Sequence, residues 1–274
     1  MTLPPRPTTR TGTTLRTLAA VLAATALASS PAPPAPTSTT RSPAATAPST
    51  SVRDLYGSEN RTLPTHRRMI ALTFNAAWNT DGTRAVLRTL RRHHAPAAFF
   101  LTGDFAERHP GTARALVAAG HGIGNHSHTH PHFQNVSRER RAQEVLRADH
   151  AIRAATGTAP MPFFRFPYSE TSPGTIAEVN RLGFADIEFT ADTNGWKGAR
   201  GGMTVRKAVG RAVAALRPGA IIQMHVGTQP GQAHDRHDRG GVIDARALPR
   251  IIEAAHARGY RIADLRTLLT PDHH

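Results

Sequence analysis

Two histidines four residues apart are the side chains best suited to chemistry in this chain. His126 and His130 stand in the run His-Ser-His-Thr-His, directly after a strand-like segment at Gly122–Asn125. Neutral imidazoles at short spacing suit zinc or a similar divalent ion, which takes about three protein ligands and leaves one position for water. The chain holds 16 histidines, so a chance pair at this spacing is the competing interpretation.

Short apolar strands alternate with amphipathic helices from residue 69 onward. Strands are predicted at 69–74, 97–101, 122–125, 163–165, 184–189, 220–224 and 260–262. Helices are predicted at 83–93, 106–119, 138–155 after a Ser137 cap, 175–182, 205–216 and 245–257. This order predicts an α/β fold with a parallel sheet, either open or closed into a barrel. In a barrel, reactive residues lie at the carboxyl ends of the strands.

The two ends of the chain differ from its middle. A basic start, an apolar run at 18–27 and small residues after it predict a secretory signal or anchor at 1–28. Residues 29–60 form a predicted disordered linker rich in Pro, Ala, Ser and Thr. One folded domain is predicted at 68–264, with a tail at 265–274. The chain is therefore expected to be secreted, or associated with the cell wall or membrane, and the His- and Asp-rich segment 233–241 is expected to be a solvated loop.

The composition excludes some stabilising devices and partners. There is no cysteine, so disulfides cannot stabilise the protein. The formal net charge is +15, from 34 basic and 19 acidic residues. The arginines are scattered over helix faces with few aromatic residues for stacking, which argues against nucleic acid as a partner. An anionic cell wall is the expected partner for this charge.

Five short segments give the chain its resemblance to a known family. They lie at 73–78, 126–130, 165–168, 192–196 and 221–225. In order and spacing they resemble the polysaccharide deacetylase family, also known as the NodB homology domain or carbohydrate esterase family 4. The resemblance implies a single-domain distorted (β/α) barrel that removes N-acetyl groups from a glycan polymer. Peptidoglycan is favoured over chitin-like oligomers, and a monomer is expected.

The resemblance also implies roles for individual residues. His126 and His130 match the metal-binding histidines, with zinc, or alternatively cobalt, as the ion. His225 matches the general acid that protonates the departing amine. Asp192 matches the carboxylate that orients this histidine and favours its protonated form. Without the family pattern, His225 would be read as a core histidine and Asp192 as a turn or cap residue.

Four further residues match the substrate-binding positions of the family, and Asn75 is a fifth candidate for binding the substrate. Trp196 and Met224 match apolar positions that line the groove for the acetyl methyl and the sugar face. A role in the core is equally open for both. Tyr168 matches a residue whose backbone N–H helps to hold the oxyanion, and Pro167 would fix that backbone. Gln223 replaces a leucine that the family often has.

The first segment departs from the family, which usually has two aspartates there, as base and metal ligand. Here Asn75 and Ala76 stand instead; an amide cannot take a proton at neutral pH, and a methyl group cannot bind a metal ion. Arg165, which pairs with the base in the family, would lose its anionic partner. Asp81 is the first-ranked replacement base. Asp104 and Glu170 are further candidates, and Asn75 or Asn79 could supply a weak oxygen ligand. The alternative function is an impaired family member that binds glycan without hydrolysing it.

Overall fold

Eight parallel strands form the sheet at the centre of the molecule. The computed structural model describes residues 51–228 and 242–269. The strands are β1 (Met69–Ala76), β2 (Ala98–Leu101), β3 (Gly122–Asn125), β4 (Phe163–Phe164), β5 (Ala185–Asp186), β6 (Ala191–Asp192), β7 (Ile221–His225) and β8 (Arg261–Ala263). Their order is β5-β4-β3-β2-β1-β7-β6, and β8 pairs with the first residues of β1. No pairing joins β5 to β6 within the described residues. The sheet is a curled, distorted barrel, which confirms the predicted fold class.

Seven helices cover the sheet within the described ranges. They are α1 (Thr83–Arg92), α2 (Gly103–Arg108), α3 (Pro110–Ala118), α4 (Arg138–Thr156), α5 (Pro173–Arg181), α6 (Val205–Ala214) and α7 (Ile243–Ala257). Ser137, Ser172 and Thr204 begin three of them, because each side chain accepts a hydrogen bond from a backbone N–H of the first turn. None of these helices has both the length and the apolar character that a membrane-spanning helix needs.

The hydrophobic core lies between the sheet and the helices. Every residue of β1 after Met69 is buried, as expected for a central strand covered on both faces. Phe74 of β1 stacks on Phe99 of β2, with ring centroids 5.0 Å apart. This packing fixes the strand ends from which the candidate site is built.

Two predicted elements differ from the structure. The helix predicted at 106–119 is broken between α2 and α3, because Pro110 cannot donate a backbone hydrogen bond and therefore starts a new helix. The strand predicted at 184–189 is reduced to Ala185–Asp186, and the short strand β6 follows it. The other predicted strands and helices agree with the structure to within two residues.

The predicted boundaries of the linker and the tail are wrong. Val52–Leu55 form a short 3₁₀ helix, and Leu55 is buried in the core, so residues 51–60 belong to the folded unit and not to the linker. Leu265–Leu269 form another 3₁₀ helix, and Leu265 and Leu268 are buried. Apolar side chains explain both differences. The predicted signal at 1–28, the linker up to residue 50, the segment 233–241 and the residues after 269 lie outside the described residues.

Candidate active site

The carboxyl ends of the parallel strands carry the residues that the sequence singled out. Asn75 lies at the end of β1, His126 follows β3, Arg165 follows β4, Asp192 ends β6 and His225 ends β7. Asn75 and His225 are register partners across β1 and β7. This edge of the sheet is where a (β/α) barrel holds its reactive groups.

The histidine loop after β3 has a tightly specified backbone. Ser127 and His130 both adopt left-handed conformations, with φ values of 65° and 59°. Buried Glu144 of α4 accepts hydrogen bonds from the N–H groups of His128, at 2.9 Å, and Thr129, at 2.7 Å. Left-handed backbone in non-glycine residues costs energy and is retained where its surroundings enforce it. The loop therefore holds the two candidate ligands in a fixed arrangement.

The rings of His126 and His130 are neighbours, and each ring has one unused nitrogen atom. The ring centroids are 4.8 Å apart, with the rings nearly perpendicular. Nδ1 of His126 lies 2.8 Å from the carbonyl oxygen of Arg165, which must accept, so this nitrogen carries the proton and Nε2 keeps its lone pair. Nε2 of His126 and Nδ1 of His130 are both buried, and neither has a hydrogen-bond partner in the described part of the chain. Two orphaned imidazole nitrogens, one fixed by a carbonyl, fit a divalent metal ion.

Burial keeps these two imidazoles neutral. Desolvation, and then the charge of His130, lower the pKa of His126 well below its ordinary value. Desolvation, followed by the charge of His225, lowers the pKa of His130 to about 4. A metal ligand must be deprotonated. Both rings are therefore in the form that binds a cation at neutral pH.

Arg165, Asn75 and Gln223 form a buried relay next to the histidines. Nη1 of Arg165 donates to Oδ1 of Asn75 at 3.1 Å. Nδ2 of Asn75 in turn donates to Oε1 of Gln223 at 3.3 Å. A carboxylate at position 75 could not make the second donation, and a leucine at 223 could not accept it. The two departures from the family pattern are therefore partners in one hydrogen-bond chain.

Two buried carboxyl groups lie near Arg165. Asp186 ends β5 and Glu188 lies two residues further on, and both side chains are fully buried. Burial raises the pKa of both groups, and the nearby Arg165 opposes the rise. Burial also lowers the pKa of Arg165 to about 10. The charges of these carboxyl groups oppose the fall in the pKa of Arg165, although no ion pair joins them to its guanidinium within the described residues.

His225 lies between two carboxylates. Its Nδ1 is 4.0 Å from Oδ1 of Asp192 and 3.8 Å from Oδ2 of Asp244. Its backbone N–H donates to the same Asp244 oxygen at 2.8 Å. Asp244 is fully buried, and a Cβ atom at Gly195 would lie 2.0 Å from its Oδ1, so only glycine leaves room for this carboxylate. Nδ1 of His225 makes no hydrogen bond to either carboxylate within the described residues, so the orienting role of Asp192 stays a prediction, and Asp244 is a second candidate for it.

Of the four residues that match substrate-binding positions, three lie near the candidate site and one lies in the core. Tyr168 is exposed, has a left-handed backbone with φ of 58°, and places its ring 4.7 Å from the ring of His130. Pro167 precedes it and is buried. Trp196 lies 6.2 Å from the ring of His225 and donates to Asp192 at 3.2 Å. Met224 is fully buried in the core, so the prediction that it lines the groove is wrong and its core alternative is correct.

The predicted replacement bases lie at different places. Asp81 is exposed and lines a groove between α1 and α3, and its role as a base stays a prediction. Glu170 pairs with His132 at 2.8 Å. Asp104, Glu107 and His128 form a cluster with metal-ligand chemistry. However, Arg147 donates to Nε2 of His128 at 2.9 Å, so a guanidinium already uses the lone pair that would face a cation.

The sequence missed several residues of this site. Asp244 is separated from His225 by a long segment, and no spacing rule connects them. Glu144 is one acid among several on a charged helix, and only the fold directs it at the histidine loop. Residues 184–189 were predicted to be one continuous strand. Asp186 and Glu188 were therefore not considered as residues of the site. The ring of Trp78 lies 5.2 Å from that of His130. Trp78 could have been found from the sequence, because it is the last residue of the first of the five segments.

The fold and this site define an α/β barrel protein with a histidine pair, a buried arginine and an acid-supported histidine at one edge. A family model described as polysaccharide deacetylase matches residues 62–187. A chitooligosaccharide deacetylase of Bradyrhizobium is 34% identical over 221 residues, which cover 80% of this chain and 96% of that protein. The chain therefore belongs to the polysaccharide deacetylase family.

Two further comparisons describe the range of the similarity. A peptidoglycan-N-acetylglucosamine deacetylase of Bacillus cereus is 28% identical over 202 residues, which cover 74% of this chain and 68% of that protein. The crystal structure of a carbohydrate esterase family 4 pseudoenzyme from Bacillus anthracis matches with a TM-score of 0.69 and 24% identity, covering 79% of this chain and 70% of that one. The structural likeness supports the fold.

Proposed function

We propose that this protein is a metal-dependent hydrolase that removes N-acetyl groups from an amino-sugar polymer. The observation that carries the proposal is the pair of orphaned, neutral imidazole nitrogens on His126 and His130. They share the carboxyl edge of the sheet with His225, a residue that can donate a proton. Relatives described as deacetylases of chitooligosaccharides and peptidoglycan support the same reaction.

His126 and His130 would hold the divalent ion, with zinc or cobalt fitting nitrogen ligands. When bound, such an ion supplies Lewis-acid polarisation of the acetamide carbonyl and of the attacking water. The carbonyl of Arg165 fixes the tautomer of His126, and the left-handed turn at His130 sets the direction of the second ring. These contacts prepare the donor set before an ion arrives.

The chain's own residues perform the remaining steps. Water adds to the amide carbon, the C–N bond breaks, and His225 gives a proton to the departing nitrogen, so that a free amine and acetate result. Asp192 and Asp244, which lie beside His225, orient its ring in this scheme. The backbone at Tyr168 stabilises the developing oxyanion, and Trp196 packs against the sugar face.

Position 75 cannot serve as the base in this scheme. Asn75 accepts from Arg165 and donates to Gln223, so its amide is engaged at both ends. In our proposal, a group other than residue 75 accepts the proton of the water.

Peptidoglycan is our proposed substrate, ahead of chitin-like oligomers. We propose that the protein is exported and is located at the cell wall or cell surface. The signal-like residues 1–28 and the high positive charge favour this setting. The second candidate function is an impaired family member that binds glycan without cleaving it. Asn75 and Ala76 favour that alternative, because they remove the family's usual base and one of its metal ligands.

The variant Asn75→Asp separates the two candidates. If the wild-type site is catalytically active, acetate release from N-acetylglucosamine oligomers with added zinc or cobalt should change by less than about tenfold. The new carboxylate removes the hydrogen bond from residue 75 to Gln223, and an active site does not need it as a base. Asn75→Ala is the matched control that removes the amide without adding a carboxylate. A wild type at background level and a gain of about 100-fold or more in Asn75→Asp would support the impaired glycan binder.

A further inference from the structure

A groove on the outer side of the barrel has a strongly basic wall. It lies between α1 and α3 and has a volume of about 1150 Å³. Arg84, Arg88 and Arg91 of α1 line it, at positions that differ by four and three residues. This spacing keeps them on one face of the helix, along a stripe of about 10 Å. The groove thus offers a row of cations and not a single charge.

These three arginines have no partner within the described residues. All three are exposed, and no hydrogen bond or ion pair is recorded for their guanidinium groups. Other arginines of the molecule are engaged: Arg141 pairs with Glu178 at 2.6 Å, and Arg153 pairs with Asp149 at 2.7 Å. A concentration of like charge on one helix face is unfavourable unless an anion binds there. The stripe is therefore free to bind one.

The opposite wall leaves room for an extended ligand. Small residues of α3 and its end line that side, namely Gly111, Thr112, Ala115 and Ala119. A Cβ atom at Gly111 would meet nothing within 4 Å. At the far end, Arg266 is neutralised by Asp264, with Nε 2.9 Å from Oδ1. Asp81 is the other acid of the lining, and the three arginines of the α1 stripe outnumber it, so the positive surplus of the groove comes from the stripe.

We propose that this groove binds a linear phosphate-bearing polymer. Guanidinium groups recognise phosphate in a bidentate manner, and a repeated anion can contact successive arginines along the stripe. Such binding would hold the protein on a polyanion while its candidate active site works on a separate glycan. The binding does not require catalysis, so it can be measured even if the proposed deacetylase activity fails.

The test measures binding of the purified full-length protein to inorganic polyphosphate at several salt concentrations. The triple variant Arg84→Gln, Arg88→Gln, Arg91→Gln is expected to bind at least about tenfold more weakly. It should also reduce the slope of log K against log salt by about 2, since each lost phosphate contact contributes about 0.7. Thermal unfolding confirms that the triple variant is folded.

A charge-matched triple variant is the control. Arg206, Arg217 and Arg250 are exposed, lie outside the groove, and have no recorded side-chain partner within the described residues. Changing all three to Gln should alter the affinity by less than about threefold and leave the salt slope unchanged. Equal weakening in both triple variants, or no polyphosphate binding by the wild type, would overturn the proposal.

Discussion

Replacing His225 with Gln is expected to lower kcat for acetate release about 100- to 10,000-fold, with little change in KM. The loss follows because expulsion of an amine needs a proton donor, and glutamine cannot supply one. His225 lies beside two carboxylates, whose oxygen atoms are 3.8 and 4.0 Å from its Nδ1. Steady-state kinetics on N-acetylglucosamine oligomers with added metal measure the effect.

The control for His225 is another histidine outside the site. His256 is exposed on α7, and His256→Gln should keep near wild-type activity. Metal binding by His225→Gln, followed by calorimetry with zinc, should remain, because His126 and His130 are unchanged. A decrease in kcat of less than tenfold would argue against His225 as the proton donor.

Replacing Arg165 with Met is expected to destabilise the protein by about 3–5 kcal/mol at pH 8. The substitution leaves the Ile187 carbonyl, Thr73 and Asn75 without a donor, and it removes the positive charge next to Asp186 and Glu188. Urea unfolding measures the loss. Arg217→Met, at an exposed position, is the control and should cost less than about 0.5 kcal/mol.

The effect of Arg165→Met should depend on pH. The pKa values of Asp186 and Glu188 are raised in the folded state, so folding binds protons and stability falls as the pH rises above about 4, the unfolded value. Without Arg165 these pKa values rise further, and the fall extends to higher pH. The loss in Arg165→Met should therefore be smaller at pH 5 than at pH 8. Equal losses of stability at pH 5 and pH 8 would contradict the inferred effect of Arg165 on the pKa values of Asp186 and Glu188.

Much of the fold could be predicted because it depends on local patterns. Apolar runs and capping residues located the strands and helices, and Pro110 was already a sign that one long helix would break. The alternation of side chains along β7 also contained information that was not used. Gln223 and His225 share a face, whereas Met224 points to the opposite one, into the core.

The remaining parts of the site depend on contacts between distant segments. Asp244, at the start of α7, accepts a hydrogen bond from the backbone of His225. Asp186 and Glu188 lie close enough to Arg165 to oppose the fall in its pKa. The link between Asn75 and Gln223 joins two strands whose register had to be known first. Such pairings depend on how the strands assemble into the sheet. They cannot be predicted from the spacing of residues along the chain.

The most direct test is the release of acetate from peptidoglycan and from N-acetylglucosamine oligomers by the purified protein. Zinc or cobalt is supplied, and His126→Ala, which removes an orphaned ligand nitrogen, is assayed beside the wild type. The account predicts acetate release by the wild type that disappears with chelation and in His126→Ala. Glycan binding by the wild type without acetate above the His126→Ala background would contradict it.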